Sequence, residues 1–126
     1  MKISSIVLAA GNSSRFINSN KLLSNIDGFK MIELVVKVIL KTNFKPCFII
    51  TGFDDDKIYK SLSNYKVNFI NNKNWSTGLS SSLKSGISKI EGVFDGTLIS
   101  LGDMPFISPE TLNKMKREFL LHEGNF

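Results

Sequence analysis

Short apolar runs typical of β-strands alternate with longer runs typical of α-helices along almost the whole chain of 126 residues. Strands that alternate with helices of this length indicate βαβ units, in which the strands lie parallel and helices cover both faces of the sheet. No repeat, linker or low-complexity segment divides the chain. The sequence therefore predicts a single α/β domain, a Rossmann-like three-layer α/β/α arrangement with a mostly parallel sheet.

Hydrophobic spacing and capping signals place the individual elements. Strands are expected at residues 3–8, 47–51, 66–71 and 97–101, and helices at 31–41, 54–62 and 78–90. A last helix is expected to open at Ser108-Pro109-Glu110, which supplies an N-cap serine, a first-turn proline and an acid at the helix dipole. In that helix Leu112, Met115 and Phe119 recur at helical spacing and are expected to face the core.

The first apolar run has two interpretations, a secretion signal or a buried strand. Lys2 before it and Ala9-Ala10-Gly11 after it resemble a signal peptide loosely. A signal peptide needs an apolar run of roughly 7–15 residues, but Ser4 and Ser5 interrupt this one. We therefore expect a strand that runs into a turn of small residues, where parallel α/β proteins bind anions with free backbone N–H groups.

Composition excludes several classes of protein. No apolar stretch approaches the roughly 18 residues of a membrane span. Sixteen basic and eleven acidic residues give a net charge of +5, but the lysines are dispersed, which favours an anionic small molecule or simply a solvated surface over nucleic acid. The single cysteine, Cys47, permits no internal disulfide, fits a reducing cytoplasm and is expected to be buried.

Ligands of a parallel sheet bind at the carboxyl ends of its strands, so the residues directly after each strand are the candidates for a site. The three informative segments are "AAGNSSRFINSNK", "NNKNWSTGLSSSLKSG" and "GDMP". They are rich in glycine, serine and asparagine, and they contain Arg15, Lys21 and Asp103. Neither the G-x-G of a dinucleotide fingerprint nor the second glycine, lysine and Ser/Thr of a P-loop is present. The sequence therefore predicts an anion site of another design.

Three motifs in order resemble one family. "LAAGNSSRF…K" (residues 8–21), "NWSTGLSSSLKSGI" (74–87) and "LGDMPFISPETL" (101–112) resemble the signatures of the MobA-like nucleotidyltransferases that load CTP or GTP onto the molybdenum cofactor. The Ser-Ser-Leu-x-x-Gly form of the second motif is similar to the cytidylyltransferase branch, whereas the guanylyltransferase branch usually has Gly-Pro-Leu there. The resemblance covers the chain from Ile3 onward and implies a nucleotidyltransferase type of fold.

The resemblance also implies a reaction, the Mg²⁺-dependent transfer of CMP from CTP to the molybdopterin cofactor with release of pyrophosphate. Positioning and charge neutralisation dominate such chemistry. Arg15 is expected to bind the departing β- and γ-phosphates, Lys21 the α-phosphate, and Asp103 the metal ion, so that these three residues would be catalytic. The nucleotide-binding residues would be Leu8, Ala9, Ala10, Gly11, Asn12, Ser13, Ser14, Arg15, Lys21, Gly78 and Ser82.

Structural explanations compete with each of these roles. Arg15 and Lys21 could be surface cations, Asp103 could cap a turn, and the serines at 80–82 could start a helix. The aspartates at 54–56 are expected to form a helix N-terminus rather than a metal cluster. Trp75 is expected to pack its own loop, and His122 to be solvated.

Two departures from the family pattern affect the prediction. Ile17 replaces a usual glycine and "INSN" separates Phe16 from Lys21, which could reshape the turn. The family domain also normally continues past residue 126, so residues 1–126 are expected to be the nucleotide-binding part of a longer domain. Such a chain could pair as a homodimer or serve as a maturation factor for molybdoenzymes. The alternatives are GTP as donor, a sugar phosphate as acceptor, or a non-catalytic binding module.

Overall fold

The computed structural model describes residues 2–10, 21–90, 92–102 and 108–121. Its elements in chain order are β1 (Ile3–Ala9), β2 (Asn25–Ile26), β3 (Phe29–Lys30), α1 (Met31–Leu40), β4 (Cys47–Thr51), α2 (Asp55–Ser61), β5 (Asn68–Asn71), α3 (Leu79–Ile90), β6 (Gly96–Leu101) and α4 (Pro109–Leu121). Short 3-10 helices lie at Lys21–Leu23 and Trp75–Thr77. Every predicted strand and helix is present, and their ends differ from the prediction by two residues or fewer.

The main sheet has the strand order β5-β4-β1-β6, and all of its pairings are parallel. Ser5 of β1 pairs in register with Cys47 of β4 on one side and Leu98 of β6 on the other. Because parallel strands need crossover connections, this order confirms the predicted α/β class. The strand β1 lies in the interior of the sheet, and all four carboxyl ends meet at one edge.

Helices cover both faces of this sheet, which makes the three predicted layers. On one face the buried side chains of β1 and β4 pack with α1, α2 and α4, and on the other face they pack with α3. Side chains of β1 alternate between the two cores, with Val7 on the first face and Ile6 on the second. Of the helices in the described ranges, none combines the length and the apolar composition needed to cross a membrane.

The two serines that interrupt the first apolar run are fully buried in β1. The hydroxyl oxygens of Ser4 and Thr97 lie 3.0 Å apart, within hydrogen-bond distance, and the Ser5 hydroxyl donates to the backbone carbonyl of Phe44 at 2.9 Å. A buried hydroxyl is tolerated when it is hydrogen-bonded. Residues 3–9 therefore form an interior strand, as the strand interpretation predicted.

A small antiparallel hairpin was not predicted. Strands β2 and β3 pair through Asn25 with Lys30 and Ile26 with Phe29. The turn between them has positive φ at Asp27 (51°) and Gly28 (87°), as a type I′ turn requires. The Asp-Gly pair was the available signal, but strands of two residues are too short to show an apolar alternation.

The expected burial of Cys47 and the expected helix start at residues 54–56 are confirmed. Cys47 is 1% exposed, and burial raises the pKa of its thiol to about 11. Asp54 is the N-cap of α2, and Asp55 and Asp56 lie in its first turn, where acids favour the helix dipole. Within the described ranges, no three His, Cys, Asp or Glu side chains come together as a metal site.

The expected start of α4 at Ser108-Pro109-Glu110 and the burial of Leu112 are confirmed, and the expected burial of Met115 is wrong. The Ser108 hydroxyl accepts a hydrogen bond from the Thr111 N–H at 3.1 Å, as an N-cap does, and Leu112 is buried. Met115, however, is 47% exposed, because it lines an open groove of about 420 Å³ between α4 and the sheet. The side chain of Phe119 and the residue His122 lie outside the described residues.

Candidate functional site

The chain segments that leave β1, β4 and β6 are tied together by backbone hydrogen bonds. The Phe53 N–H donates to the Ala10 carbonyl at 3.0 Å, and the Gly102 N–H donates to the Leu8 carbonyl at 3.1 Å. Two of the three predicted loops therefore start side by side at the carboxyl edge of the sheet, where β1 and β6 end. Leu8, Ala9 and Ala10 have buried side chains, so a ligand at this edge would meet their backbone.

Gly102 allows the end of β6 to approach β1 this closely. A Cβ atom at Gly102 would lie 2.9 Å from Ile32 Cδ1, 3.1 Å from the Leu8 carbonyl oxygen and 3.2 Å from Leu22 Cδ2. Such contacts are too tight for a side chain without movement of the neighbours, one of which is backbone. Gly102 belongs to the motif at residues 101–112, but its spacing in the sequence indicated no role for this glycine.

The residue that follows Lys21 in the chain also lies at this edge. Lys21 begins a 3-10 helix, and its carbonyl accepts the Ser24 N–H at 3.0 Å. The next residue, Leu22, is buried and packs against Gly102, which directly precedes Asp103 in the chain. Two segments about eighty residues apart in sequence therefore meet here. Both contain a predicted site residue, Lys21 in one and Asp103 in the other.

Six of the predicted site residues lie outside the described residues. They are Gly11, Asn12, Ser13, Ser14, Arg15 and Asp103. Their roles stay predictions, supported by the positions of the described residues that flank them.

The remaining predicted segment follows β5, and we call its residues 72–82, which end in the first turn of α3, the 72–82 loop. The Asn72 N–H donates to the Thr51 carbonyl at 2.6 Å, which ties the start of this loop to the end of β4. Gly78 is exposed and has φ 116° and ψ 177°, a conformation that favours glycine. Ser82 is 2% exposed, and its hydroxyl accepts a hydrogen bond from Asn72 Nδ2 at 3.0 Å. The backbone at Gly78 thus lies at the surface of the loop, and the Ser82 hydroxyl lies beneath it.

Trp75 packs against the end of β4, which confirms that it supports its own loop. Its ring centroid lies 5.3 Å from that of Phe53. A Cβ atom at Gly52 would lie 2.5 Å from Trp75 Cβ, so only glycine leaves room for the tryptophan. Because the Phe53 N–H bonds to Ala10, this packing also connects the 72–82 loop to the end of β1.

The start of α2 lies at the outer side of the same edge. Asn71 Nδ2 donates to Asp55 Oδ2 at 2.9 Å, and Lys57 Nζ lies 3.9 Å from Asp54 Oδ1. These side chains serve the helix start and the end of β5, as expected for the aspartates at 54–56. The site that the described residues support lies between β1, β6 and the 72–82 loop.

Comparison with known proteins identifies a family and several relatives of this chain. Residues 5–125 match the model of the MobA-like NTP transferase domain. A probable molybdenum cofactor guanylyltransferase from Natranaerobius thermophilus is 32% identical over 116 residues, 90% of this chain and 54% of that protein. The bifunctional protein GlmU of a Hydrogenobaculum species is 29% identical over 113 residues, 89% of this chain and 24% of that protein.

A solved structure shows the same architecture. A nucleotidyl transferase from Methanothermobacter thermautotroptrophicus superimposes with a TM-score of 0.83 and 31% sequence identity, over 92% of this chain and 57% of that one. The chain thus spans about a quarter to just over half of the length of these relatives. The likeness confirms a nucleotidyltransferase type of fold.

Proposed function

The chain belongs to the MobA-like NTP transferase family, and from this premise we propose that it binds a nucleoside triphosphate with Mg²⁺ for nucleotidyl transfer to a phosphate acceptor. The observation that carries the proposal is the meeting of three loops at one sheet edge. Backbone bonds join Ala10 to Phe53, Leu8 to Gly102 and Thr51 to Asn72. This edge is where α/β sheets bind nucleotides.

In the proposed reaction an acceptor phosphate oxygen attacks the α-phosphorus of the triphosphate. A new P–O bond forms, the bond between the α-phosphorus and the bridging oxygen breaks, and pyrophosphate leaves. The backbone N–H groups of residues 10–14 bind phosphate oxygens, with Gly11 permitting close approach. Arg15 binds the leaving β- and γ-phosphates as a fork, and Lys21 supplies a positive charge near the α-phosphate.

Members of this family typically use divalent metal ions, and we propose Mg²⁺ held by Asp103. A single carboxylate fits Mg²⁺, which takes few protein ligands and completes its shell with phosphate oxygens and water. When bound, the ion would neutralise charge that develops on the phosphates. We propose that Arg15 and Lys21 supply the further positive charge at the phosphates.

The motif and the relatives bear on which nucleotide is the donor and which phosphate is the acceptor. The Ser81-Ser82-Leu83 form of the second motif supports CTP as the donor. The similarity to a probable molybdenum cofactor guanylyltransferase supports a molybdenum cofactor as the acceptor, but it argues for GTP as the donor. We propose CTP and a molybdopterin acceptor, with Gly78 and Ser82 on the base and ribose side. A sugar-phosphate acceptor is the alternative. The proposal places the protein in the cytoplasm, where the single cysteine would stay reduced.

Calorimetric titration with CTP, GTP and Mg²⁺ tests the nucleotide. We expect binding that requires the metal and is tighter for CTP than for GTP. Equal or tighter binding of GTP would remove the base assignment and keep the triphosphate. If neither CTP nor GTP binds, the proposed function is wrong.

Release of pyrophosphate in the presence of CTP and molybdopterin cofactor separates an enzyme from a non-catalytic binding module.

A homodimer is a further proposal, and the exposed Ile99 on β6, the last strand of the described sheet order, is the feature that supports it. Sedimentation velocity over a range of protein concentrations would measure it.

A further inference from the structure

Asn72 is a buried polar residue beneath the 72–82 loop for which the sequence indicated no role. It follows β5 directly and is 5% exposed. Its Nδ2 donates to the hydroxyl oxygens of Ser81 and Ser82, each at 3.0 Å, and its Oδ1 accepts the Asn74 N–H at 3.0 Å. One side chain therefore joins the first residues of the loop to the first turn of α3.

The direction of these bonds extends the connection to Gly78. An amide nitrogen can only donate, so the Ser81 oxygen accepts from Asn72 and the Ser81 hydroxyl proton is free to turn elsewhere. It has two acceptors within reach, the Asn74 carbonyl at 2.9 Å and the Gly78 carbonyl at 3.0 Å. A chain of hydrogen bonds therefore runs from Asn72 through the Ser81 hydroxyl to the exposed backbone at Gly78.

We propose that Asn72 is a positioning residue for base selection, fixing the backbone between Asn74 and Ser82 in the conformation that meets the nucleotide. The inference rests on the proposed function, because it assumes that this loop faces the base. Asn72 itself is covered by the loop and acts through Ser81, Ser82 and the backbone rather than by contact with the ligand.

Removing the amide should loosen the loop without dismantling the sheet. In Asn72→Ala the Thr51 carbonyl keeps its bond from the residue 72 N–H, and Trp75 keeps its packing on Gly52 and Phe53. Ser81, Ser82 and the Asn74 N–H lose their shared partner. A loop that must become ordered on binding weakens affinity, and it discriminates less between ligands.

The experiment measures the affinities of the full chain for CTP and GTP with Mg²⁺, and for inorganic tripolyphosphate with Mg²⁺. In Asn72→Ala we expect affinity for the preferred nucleotide to fall about tenfold and the CTP/GTP ratio to come within about twofold of one. Tripolyphosphate has no base, so its affinity should change by less than about twofold.

Asn71→Ala is the matched control. Asn71 is the neighbouring asparagine, but it is exposed and bonds to Asp55 outside the loop, so the nucleotide ratio should stay at the wild-type value. Trp75 is the only tryptophan, and its quenching by acrylamide reports the loop without any ligand. Quenching should increase in Asn72→Ala and not in Asn71→Ala.

Ser81→Ala tests the same chain of bonds with a smaller change, should Asn72→Ala fail to fold. It removes the Asn72–Ser81 bond and the Ser81 bond to Gly78, and it should shift the ratio in the same direction by a smaller factor. A wild-type ratio in a folded Asn72→Ala or Ser81→Ala variant would overturn the positioning role, as would an equal loss in Asn71→Ala. Failure of the wild-type chain to bind either nucleotide would instead remove the proposed function.

Discussion

Asp103 is the residue whose proposed role can be separated most cleanly from its structural alternative. Asparagine keeps nearly the same volume and removes the charge that a metal ligand needs. For Asp103→Asn we expect Mg²⁺-dependent nucleotide affinity to fall at least about tenfold, and the free energy of unfolding to change by less than about 1 kcal/mol. Calorimetry and urea unfolding measure the two effects.

Asp56→Asn is the control for Asp103→Asn, since it removes the same charge at an exposed position in the first turn of α2. Its nucleotide affinity should equal that of the wild type. If Asp103→Asn also keeps its metal-dependent affinity, Asp103 caps the turn before Pro105 and the metal is bound elsewhere.

Cys47 makes stability depend on pH in the alkaline range. Burial raises the pKa of its thiol from 9.0 to about 11, so between these values the folded chain keeps a proton that the unfolded chain has lost. The corresponding stability is complete below pH 9 and is lost as pH rises toward 11. We expect a loss of about 1 kcal/mol at pH 10, relative to the same measurement on Cys47→Ala.

Urea unfolding of both chains at pH 8, 9 and 10 measures this effect, because the other titrating groups are common to the two. Parallel pH profiles would contradict the prediction, since they would mean that the Cys47 thiol ionises equally well in the folded and unfolded chains.

At the scale of elements, the strands and helices of the main sheet could be predicted because their signals are local. Residues 47–51 are a short apolar run, and Ser108 to Glu110 form a cap that needs no tertiary contact. The β2–β3 hairpin could not be predicted from periodicity, because two residues per strand show none. Met115 was misassigned because helical spacing gives the face of a residue but not how closely the helix approaches the sheet.

The candidate site could be predicted only in part for a related reason. The loops after β1, β5 and β6 follow from the rule that ligands bind at strand ends, and the motifs supplied their residues. The contacts that bring the loops together depend on tertiary distances. Trp75 packs so closely on residue 52 that no side chain larger than the hydrogen atom of glycine fits there. Asn72 bonds to Ser81 and Ser82, which are nine and ten residues further along the chain.

Gly52→Ala tests whether the close packing of the 72–82 loop on β4 matters. The new Cβ would lie 2.5 Å from Trp75 Cβ, an atom that cannot move without its backbone. We expect a loss of about 1–3 kcal/mol in the free energy of unfolding and a shift in Trp75 emission.

Gly86→Ala is the comparison for Gly52→Ala. Its Cβ would meet side-chain atoms of Ile50 and Ile6, the nearest at 2.9 Å, which can turn away. Alanine also favours the helix interior by about 1 kcal/mol over glycine, so the net change should be small. A greater loss in Gly86→Ala than in Gly52→Ala would contradict the packing argument.

For the whole molecule, ligand binding at the edge of the sheet should stabilise the fold, because the edge exists only when β1, β4, β5 and β6 are assembled. A ligand at one hundred times its Kd adds about 2.7 kcal/mol to the free energy of unfolding. For a domain of this size we expect CTP with Mg²⁺ to raise the Tm by roughly 10 °C at that concentration. Thermal unfolding measured by circular dichroism over a series of CTP concentrations gives the shift.

Arg15→Ala provides the control for this shift, since the proposed function gives Arg15 a contact with the β- and γ-phosphates. The variant should unfold near the wild-type temperature without ligand and show a much smaller rise with CTP and Mg²⁺. An equal rise in both chains would mean that the stabilisation does not involve the predicted phosphate loop. For Asn72→Ala we expect a rise in Tm with CTP and Mg²⁺ between the rises of the wild type and of Arg15→Ala. This variant keeps the contacts to the phosphates and loses part of the binding energy of the base.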